Sequence, residues 1–512
     1  MKMEKNRVFL IVSFMTIFLV LLLPAPQVLA APPQGVLKEA IHWGISADWF
    51  DPAITGSYMS NFTLYLVHDA LLKPMPEGTY TPCLAESWKI TPDAKVYEFQ
   101  LRKGVKFHNG DTLTAEDVIF SYWRYKGPEA KFIHGKTEKV EAVNPHLVRI
   151  QFKEPFPDFL DYHLAGSTTI GWVVPKKYVE KVGDAGFRKN PVGAGPYRFV
   201  EFVPGVKLVV EAFEDFWRKV PHIKRMEFYP ITETGTRLVM VKRGEADVGT
   251  LMQGIFYEEL KKDPKLRLFS PISPVKYLVY MTAQWDPKSP WSDPRVRKAA
   301  SLAIDRQSIA DITGPGSKPS GSLGLVGDPL LVDFPPDPYD PEQAKKLLAE
   351  AGYPKGFHGG KFYPYNGVYW AMGEQIATYW KTVGITVDTV LFDRPAWMAN
   401  RDGGKMKGGL FIDPAMAPTM GGRLAYLFGS TSYGNYPDIQ GLWENFGRET
   451  SLKVRKDLMV RIQELIQEKT MFIPIRGGVS AAAVGPRVKG NPYKIQPLMW
   501  FTMPFEDIEL EE

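Results

Sequence analysis

The sequence predicts a mixed α/β protein that divides into two or three lobes. Segments with the alternating apolar pattern of strands interleave with segments of helical spacing, without the regular alternation of a barrel or of a single doubly wound sheet. The chain has 512 residues, of which 45% are hydrophobic and 13% aromatic. A chain of this length can bury a large core without covalent support. Cys83 is the only cysteine, so no intramolecular disulfide is expected.

The first thirty residues have the organisation of a secretory signal peptide. Basic residues precede an apolar run over residues 8–23, and small side chains follow near Ala30. A membrane-spanning helix needs about 20 apolar residues, so the run is short for an anchor. We expect cleavage after Ala30 and export of the mature chain as a soluble protein. Cys83 lies far from this position, so no lipoprotein anchor is expected.

The charge balance excludes a nucleic-acid partner. The formal net charge is +5, and residues 1–30 contain three basic residues and one acidic residue, so the mature chain carries +5 − 3 + 1 = +3. A nucleic-acid-binding domain has a much stronger basic excess.

Residues 84–125 are the most informative stretch. In order, they predict a turn, a strand, a tight turn and a helix: Asp93-Ala94, Val96–Leu101, Asn109-Gly110 and Ala115–Tyr125. Thr114 followed by Asp117 is typical of a capping box that opens the helix.

The other elements follow from the same periodicities. The predicted strands and hairpins are 36–46, 147–152 and 199–212, and the predicted helices are 61–72, 234–244 and 451–469. Asp293-Pro294 and Asp340-Pro341 each combine an N-cap with a proline at the first helical position, and therefore predict two further helix starts.

Motifs for catalysis are incomplete. Gly135-Lys136-Thr137 resembles the end of a phosphate-binding loop, but residue 130 is alanine where glycine is required. Gly478–Ala482 fails the nucleophile-elbow pattern at its last position. The eight histidines are scattered, with no pair at metal-ligand spacing on a helix. A carboxylate pair could still be assembled by the fold, so a glycosidase stays open.

The chain resembles the family 5 extracellular solute-binding proteins, which are the dipeptide-, oligopeptide- and nickel-binding receptors of ABC importers. Residues 84–125 resemble the signature region of that family. The other segments that carry the resemblance are Asn190–Tyr197, Gly244–Val248, Ser292–Ala299, Ala303–Arg306 and Tyr339–Tyr353.

The resemblance implies a type II periplasmic-binding-protein fold, in which two lobes close over a ligand by a hinge motion. It implies a first lobe at 32–72, 192–282 and 486–512, an inserted subdomain at 73–191, and a second lobe at 283–485. The hinge is then expected near residues 282 and 486.

The resemblance also implies a ligand site between the lobes. Three segments are expected to line it: 48–61, 167–172 and 409–416. The candidate ligand-binding residues are Trp49, Tyr58, Asn61, Ser167, Thr168, Phe411 and Asp413.

The third segment departs from the family pattern. Peptide-binding relatives commonly have Gly-Trp-x-x-Asp there, with the tryptophan covering the ligand and an acidic group pairing with its ammonium. This chain has Gly409-Leu410-Phe411-Ile412-Asp413, so the tryptophan is absent, which weakens a dipeptide assignment. Nickel binding is weaker still without clustered histidines.

Several family motifs have a structural explanation. We expect Arg295, Arg297 and Asp305 to form ion pairs, and Gly193 and Gly195 to supply a permissive backbone where the chain changes lobe.

These inferences predict a monomeric periplasmic receptor that binds a peptide or related small solute and delivers it to an ABC permease and ATPase. No cofactor, metal or enzymatic activity is expected. Two alternatives remain: an exported hydrolase of peptides or glycans, and a chaperone-like receptor on the same scaffold.

Overall fold

The computed structural model describes most of the chain after the predicted signal segment. The described residues are 32–55, 58–127, 129–163, 168–269, 272–314, 316–324, 328–365, 367–415, 419–428, 434, 436–479, 481–491 and 503–511. The predicted signal peptide, residues 1–30, lies outside them. In these ranges no helix has the length and apolar character needed to cross a bilayer.

Strands and helices alternate irregularly, as the sequence predicts. The strands are β1 Gln34–Ile41, β2 Asp69–Ala70, β3 Leu72–Met75, β4 Gly78–Pro82, β5 Ala85–Ile90, β6 Val96–Leu101, β7 Thr137–Asn144, β8 Leu147–Phe152, β9 Trp172–Val173, β10 Tyr197–Val203, β11 Lys207–Ala212, β12 Ile223–Pro230, β13 Val248–Gly249, β14 Arg267–Phe269, β15 Ile272–Met281, β16 Phe357–Tyr363, β17 Ile385–Thr389, β18 Leu410–Ala415, β19 Phe472–Val479 and β20 Ala482–Val484. The α-helices are α1 Asn61–Val67, α2 Ala115–Arg124, α3 Ala130–Lys136, α4 Phe159–His163, α5 Lys176–Lys189, α6 Thr234–Lys242, α7 Ile255–Lys262, α8 Pro294–Leu302, α9 Arg306–Thr313, α10 Pro341–Glu350, α11 Val368–Thr382, α12 Arg394–Asp402, α13 Met420–Phe428, α14 Pro437–Phe446 and α15 Leu452–Glu468.

Two large sheets organise the molecule. One has seven strands in the order β10-β11-β12-β1-β13-β20-β14, and the other has five in the order β17-β16-β18-β15-β19. β1 is parallel to β12 and β13, whereas β15 is antiparallel to both of its neighbours. A separate four-stranded sheet, β5-β6-β8-β7, lies within the predicted inserted subdomain.

The chain passes between the two large sheets twice. β14 ends at Phe269 in the seven-stranded sheet and β15 begins at Ile272 in the five-stranded one; β19 and β20 make the reverse passage. The chain therefore changes sheet between Phe269 and Ile272, and again between Val479 and Ala482. The hinge expected near residues 282 and 486 stays a prediction. β15, which ends at Met281, pairs with β18 and β19 within the five-stranded sheet.

The informative stretch folds as predicted. β6 and β8 have the predicted limits, and the helix begins at Ala115 behind a complete capping box between Thr114 and Asp117. Gly110 occupies the tight turn with φ +88°. Local signals suffice here because each turn and cap satisfies its own backbone groups.

The predicted helix 61–72 is wrong after Val67. His68 is extended, and Ala70 to Leu72 continue as buried strands instead of a helix. The carbonyl of Val67 accepts a hydrogen bond from the Gly195 amide at 3.0 Å, which binds the helix end to a segment distant in sequence. Tertiary contacts thus override the apolar spacing that favoured a longer helix.

Gly193 and Gly195 pack directly against the end of α1. A Cβ at Gly193 would lie 2.1 Å from the Val67 carbonyl oxygen, and one at Gly195 would lie 2.6 Å from the Val67 carbonyl carbon. Neither glycine is in the positive-φ region. Close approach of two backbones, and not the expected conformational freedom, is what requires glycine here.

The expected ion pairs form only in part. Arg295 pairs with Asp293 at 2.6 Å. The Arg297 guanidinium, 1% exposed, instead donates hydrogen bonds to two backbone carbonyls. One is the carbonyl of Trp291, and the other is that of Lys469, which follows α15. Asp305 caps α9 by accepting from the Ser308 amide at 3.1 Å. A guanidinium can satisfy several carbonyls at once, so a buried arginine does not require a carboxylate.

Replacing Gly193 with alanine should destabilise the protein, because the added Cβ would collide with the backbone of Val67, which cannot move aside as a flexible side chain can. We expect a loss of about 3 kcal/mol in the free energy of unfolding, measured by urea denaturation. Gly135→Ala is the matched control: it lies in α3 with no atom within 4 Å of the added Cβ, and should change stability by less than about 1 kcal/mol. Equal losses in both variants would contradict the close-approach explanation.

Acid sensitivity should arise in part from His68. Its ring is buried, with Nε2 2.9 Å from the Phe50 carbonyl oxygen, and burial lowers its pKa from 6.5 to about 4. The unfolded chain binds the proton more readily, so stability is complete above pH 6.5 and falls as the pH drops toward 4. His68→Gln should remove about 2 kcal/mol of the stability difference between pH 7 and pH 5, measured by urea denaturation at both pH values. An unchanged difference would refute this assignment.

Candidate functional site

The first candidate segment is attached to the core through its backbone. Trp49 is half-buried in a short 3-10 turn, and its carbonyl accepts a hydrogen bond from the Thr63 hydroxyl at 2.6 Å. Arg124 holds the same loop through two contacts to Asp51, at 2.6 and 2.7 Å. The side chain of Tyr58 is outside the part of the chain that the structure describes.

Asn61 opens α1 and is 1% exposed. Its Oδ1 atom has no hydrogen-bond partner among the residues described. A buried amide oxygen without a donor destabilises the protein, so a hydrogen-bond donor on a ligand would stabilise it. Its role as a ligand contact stays a prediction.

The second candidate segment uses its hydroxyls locally. Thr168 donates to the Tyr162 carbonyl at 2.5 Å and accepts from the Ile170 amide at 3.2 Å, while Ser167 is outside the described ranges. The neighbouring Thr169, which the sequence did not single out, lies 2.6 and 2.8 Å from the carbonyls of Pro52 and Thr55. Thr169 therefore joins this segment to the first loop.

The third segment lies in β18 of the five-stranded sheet. Phe411 is 2% exposed and stacks on Tyr280, with ring centroids 4.8 Å apart. Asp413 forms an ion pair with Arg401 at 2.7 Å, and both side chains are nearly buried. The structure thus gives the acidic group an internal cation, a contact that short-range sequence patterns do not signal.

Two more polar groups lie on the same strand pair and were missed by the sequence. The Tyr280 hydroxyl is buried without a hydrogen-bond partner in the described ranges. Burial raises its pKa well above the usual value, and the Asp413 carboxylate adds to the rise. Lys276 lies four residues earlier on β15; burial lowers the pKa of its ammonium, and the Arg423 guanidinium lowers it further.

The predicted inserted subdomain contacts the five-stranded lobe through a buried ion pair. Arg455, on α15, pairs with Asp158 beside α4, and both side chains are under one-tenth exposed. Arg455 also donates to the Phe446 carbonyl at 2.7 Å. Burial raises the pKa of Asp158 to about 7 although Arg455 opposes the shift.

A second carboxylate of the subdomain lies next to the five-stranded lobe. Asp161 accepts a hydrogen bond from the Tyr80 hydroxyl at 2.5 Å, and a Cβ on Gly421 would lie 2.8 Å from its Oδ2 atom. Ala425, on α13, packs within the core of the inserted subdomain. The subdomain therefore touches the five-stranded lobe through both charged and apolar groups.

The described residues hold no group of three or more histidine, cysteine or acidic side chains placed to bind a metal ion. Cys83 is buried, and burial raises the pKa of its thiol. The arrangement offers aromatic, hydroxyl, amide and charged groups on two sheet-based lobes, which suits reversible binding.

A family model described as bacterial extracellular solute-binding proteins, family 5 Middle, matches residues 79–432. The chain belongs to this family. The resemblance found in the sequence is confirmed, and the family proteins it matches are binding proteins.

Curated members of the family match at moderate identity. Heme-binding protein A of Haemophilus influenzae is 27% identical over 459 residues, covering 80% of this chain and 81% of that protein. Glutathione-binding protein GsiB of Pectobacterium atrosepticum is 31% identical over 337 residues. The chain spans 64% of the length of this glutathione-binding relative, with 64% of its own length matched.

A solved structure of the family confirms the fold class. The periplasmic binding protein DppA from Helicobacter pylori, in complex with the peptide STSA, superposes with a TM-score of 0.81 at 22% identity. The match covers 93% of this chain and 98% of DppA. The family 5 chain therefore has the two-lobe, type II periplasmic-binding-protein fold.

Breaking the ion pair between the subdomain and the five-stranded lobe should be costly. Arg455→Met leaves the Asp158 carboxylate buried without its cation, and should lower the free energy of unfolding by about 3–5 kcal/mol. Adding Asp158→Asn should recover part of the loss, because the unpaired charge is then removed.

The control is Arg448→Met, which removes a looser and more exposed pair with Glu154 at 3.8 Å. It should cost less than about 1 kcal/mol. Urea denaturation of all four proteins checks the expectation, and a loss in Arg455→Met no larger than in the control would contradict it.

Proposed function

We propose that this chain is the substrate receptor of an ABC importer, which binds a small solute between its two lobes and delivers it to a membrane permease and ATPase. The observation that carries the proposal is the family match over residues 79–432 on a chain with two sheet-based lobes. The predicted signal peptide supports a periplasmic location. The receptor acts as a monomer.

The proposed ligand is a peptide or a related organic compound. Relatives and structural neighbours of this chain bind glutathione, heme and peptides according to their names. The candidate segments offer aromatic surfaces and neutral hydrogen-bonding groups, which is how small-molecule sites are usually lined. No observation favours the hydrolase or the chaperone-like alternative.

Within this proposal, the lobes follow the two large sheets. The ligand lies between the loop around Trp49 and Asn61, the segment at 167–172, and the surface around Phe411 and Asp413. The hinge lies near residues 282 and 486, because few residues there need to change conformation to move one sheet relative to the other.

Native mass spectrometry of protein purified from its own cells tests the function. We expect a retained solute whose mass identifies it, and a rise in melting temperature when that solute is added back, because a ligand that binds only the native state stabilises it. Small-angle scattering should then report a smaller radius of gyration. No retained solute, and no response to a pool of di- to tetrapeptides, would overturn the proposal.

Asn61→Leu should weaken binding without lowering stability. The substitution removes a buried acceptor that has no donor in the protein, so the melting temperature of the unliganded protein should not fall. Affinity for the retained solute should fall by about tenfold, the effect of one lost hydrogen bond in a buried site. Isothermal titration measures it. Asn144→Leu, at an exposed turn, is the control, and equal affinities in both variants would exclude Asn61 from the site.

A further inference from the structure

The predicted inserted subdomain is attached through its backbone to the lobe that contains the seven-stranded sheet, the seven-stranded lobe. β9 of the subdomain pairs with β2, which follows α1, and the His108 amide donates to the Gly193 carbonyl at 2.8 Å. α1 packs in one core with β1, β11 and β12 of the seven-stranded sheet. The buried ion pair of Arg124 with Asp51 adds to the attachment. The subdomain therefore moves with the seven-stranded lobe.

The contact of the subdomain with the five-stranded lobe is made by side chains. Asp158 pairs with Arg455 of α15, and Glu154 lies 3.8 Å from Arg448. α15 packs with α13, α14 and β15 in a core of the five-stranded lobe. A movement of one lobe relative to the other therefore separates Asp158 from Arg455, while the backbone attachment of the subdomain stays intact.

Each half of this ion pair is held in place by its own lobe. The Arg455 guanidinium donates to the carbonyls of Phe446 and Glu449, at 2.7 and 3.1 Å, and lies 3.9 Å from the centre of the Phe446 ring. The Asp158 carbonyl accepts from the Asp161 amide at 2.9 Å, at the start of α4. The pair can therefore break and form again without rearrangement of either half.

Apolar packing accompanies the pair. Ala425 of α13 and Trp443 of α14 both pack against the hydrophobic core of the subdomain. Burial of apolar surface favours the joined arrangement, but the same contact takes the Asp158 carboxylate out of water. Arg455 supplies the compensating charge, since a buried carboxylate without a cation is strongly unfavourable. The joined arrangement therefore depends on the ion pair.

The ion pair lies apart from the proposed ligand contacts. In the described part of the chain, the hydrogen bonds of the Arg455 guanidinium run to Asp158, Phe446 and Glu449, and none of these is a candidate ligand residue. Its contribution is therefore the same in a closed empty receptor and in a closed loaded one. An interaction of equal strength in two states does not shift the equilibrium between them, although it slows departure from both.

We propose that Asp158 and Arg455 form a latch between the lobes, closed in both the empty and the loaded receptor, which has to open before a solute enters or leaves. The latch sets the rates of association and dissociation, and the ligand contacts set the affinity. The inference rests on the proposed function and adds a control of access to the same cleft.

Binding kinetics of the Arg455→Met variant test the latch. The probe is the solute retained through purification or the best binder from a pool of di- to tetrapeptides, and surface plasmon resonance on immobilised receptor gives both rates. Each rate should rise about tenfold while their ratio changes by less than about threefold, because the closed empty and closed loaded forms lose the same contact. Adding Asp158→Asn should return both rates to within about threefold of the natural values, since no carboxylate is then buried without its cation.

Two further variants separate the latch from a general loss of stability. Arg218→Met removes a pair with the buried Glu506 at 2.7 Å inside the seven-stranded lobe, and should leave both rates unchanged although it destabilises the protein. Arg455→Lys keeps the charge but not the fork of donors. It should raise both rates by a smaller factor, and it replaces Arg455→Met if that variant does not fold.

Hydrogen exchange of the empty receptor gives a readout that needs no solute. Amides of α4 should exchange faster in Arg455→Met than in the natural protein, and those of β12 should not. Unchanged rates in Arg455→Met, or a loss of affinity without faster association, would overturn the latch and leave the receptor function intact. Failure of the natural protein to bind any solute would overturn the proposed function, and unchanged exchange in α4 would then overturn the interlobe contact as well.

Discussion

The structure depends on one place where two backbones meet with no room for a side chain. Gly193 and Gly195 lie against the end of α1 at Val67 and His68. This contact ends the helix, orients His68 toward the Phe50 carbonyl, and returns the chain from the inserted subdomain to the seven-stranded sheet. The first candidate segment is therefore held by contacts with α1 and His68.

Two groups of charged side chains in the molecule differ in whether they have a partner. Where the inserted subdomain meets the five-stranded lobe, Asp158 and Arg455 neutralise each other inside the protein. Near the crossings, Lys276 has no such partner in the described part of the chain. The ion pair stabilises the docked subdomain, whereas a partly desolvated ammonium without a partner is unfavourable.

Local signals predicted much of the fold, and long-range contacts account for what they missed. Strands 96–101 and 147–152 were located to the residue because alternation and turn chemistry act over few residues. The helix predicted to continue beyond Val67 ends there because the Val67 carbonyl accepts a hydrogen bond from the Gly195 amide, more than a hundred residues away in sequence. In the candidate site, the resemblance indicated the three segments, but nothing near Asp413 predicts its pairing with Arg401, and nothing near Lys276 predicts its isolation, because both depend on how the sheet and helices assemble.

The contact between Asp158 and Arg455 also bears on how the chain folds. It joins residues 297 positions apart, so it cannot form until α15 has been synthesised and the intervening sheets are in place. Closing so large a loop is slow relative to local strand pairing. The four-stranded sheet pairs segments that are much closer in sequence, so we expect it to form before Asp158 reaches Arg455.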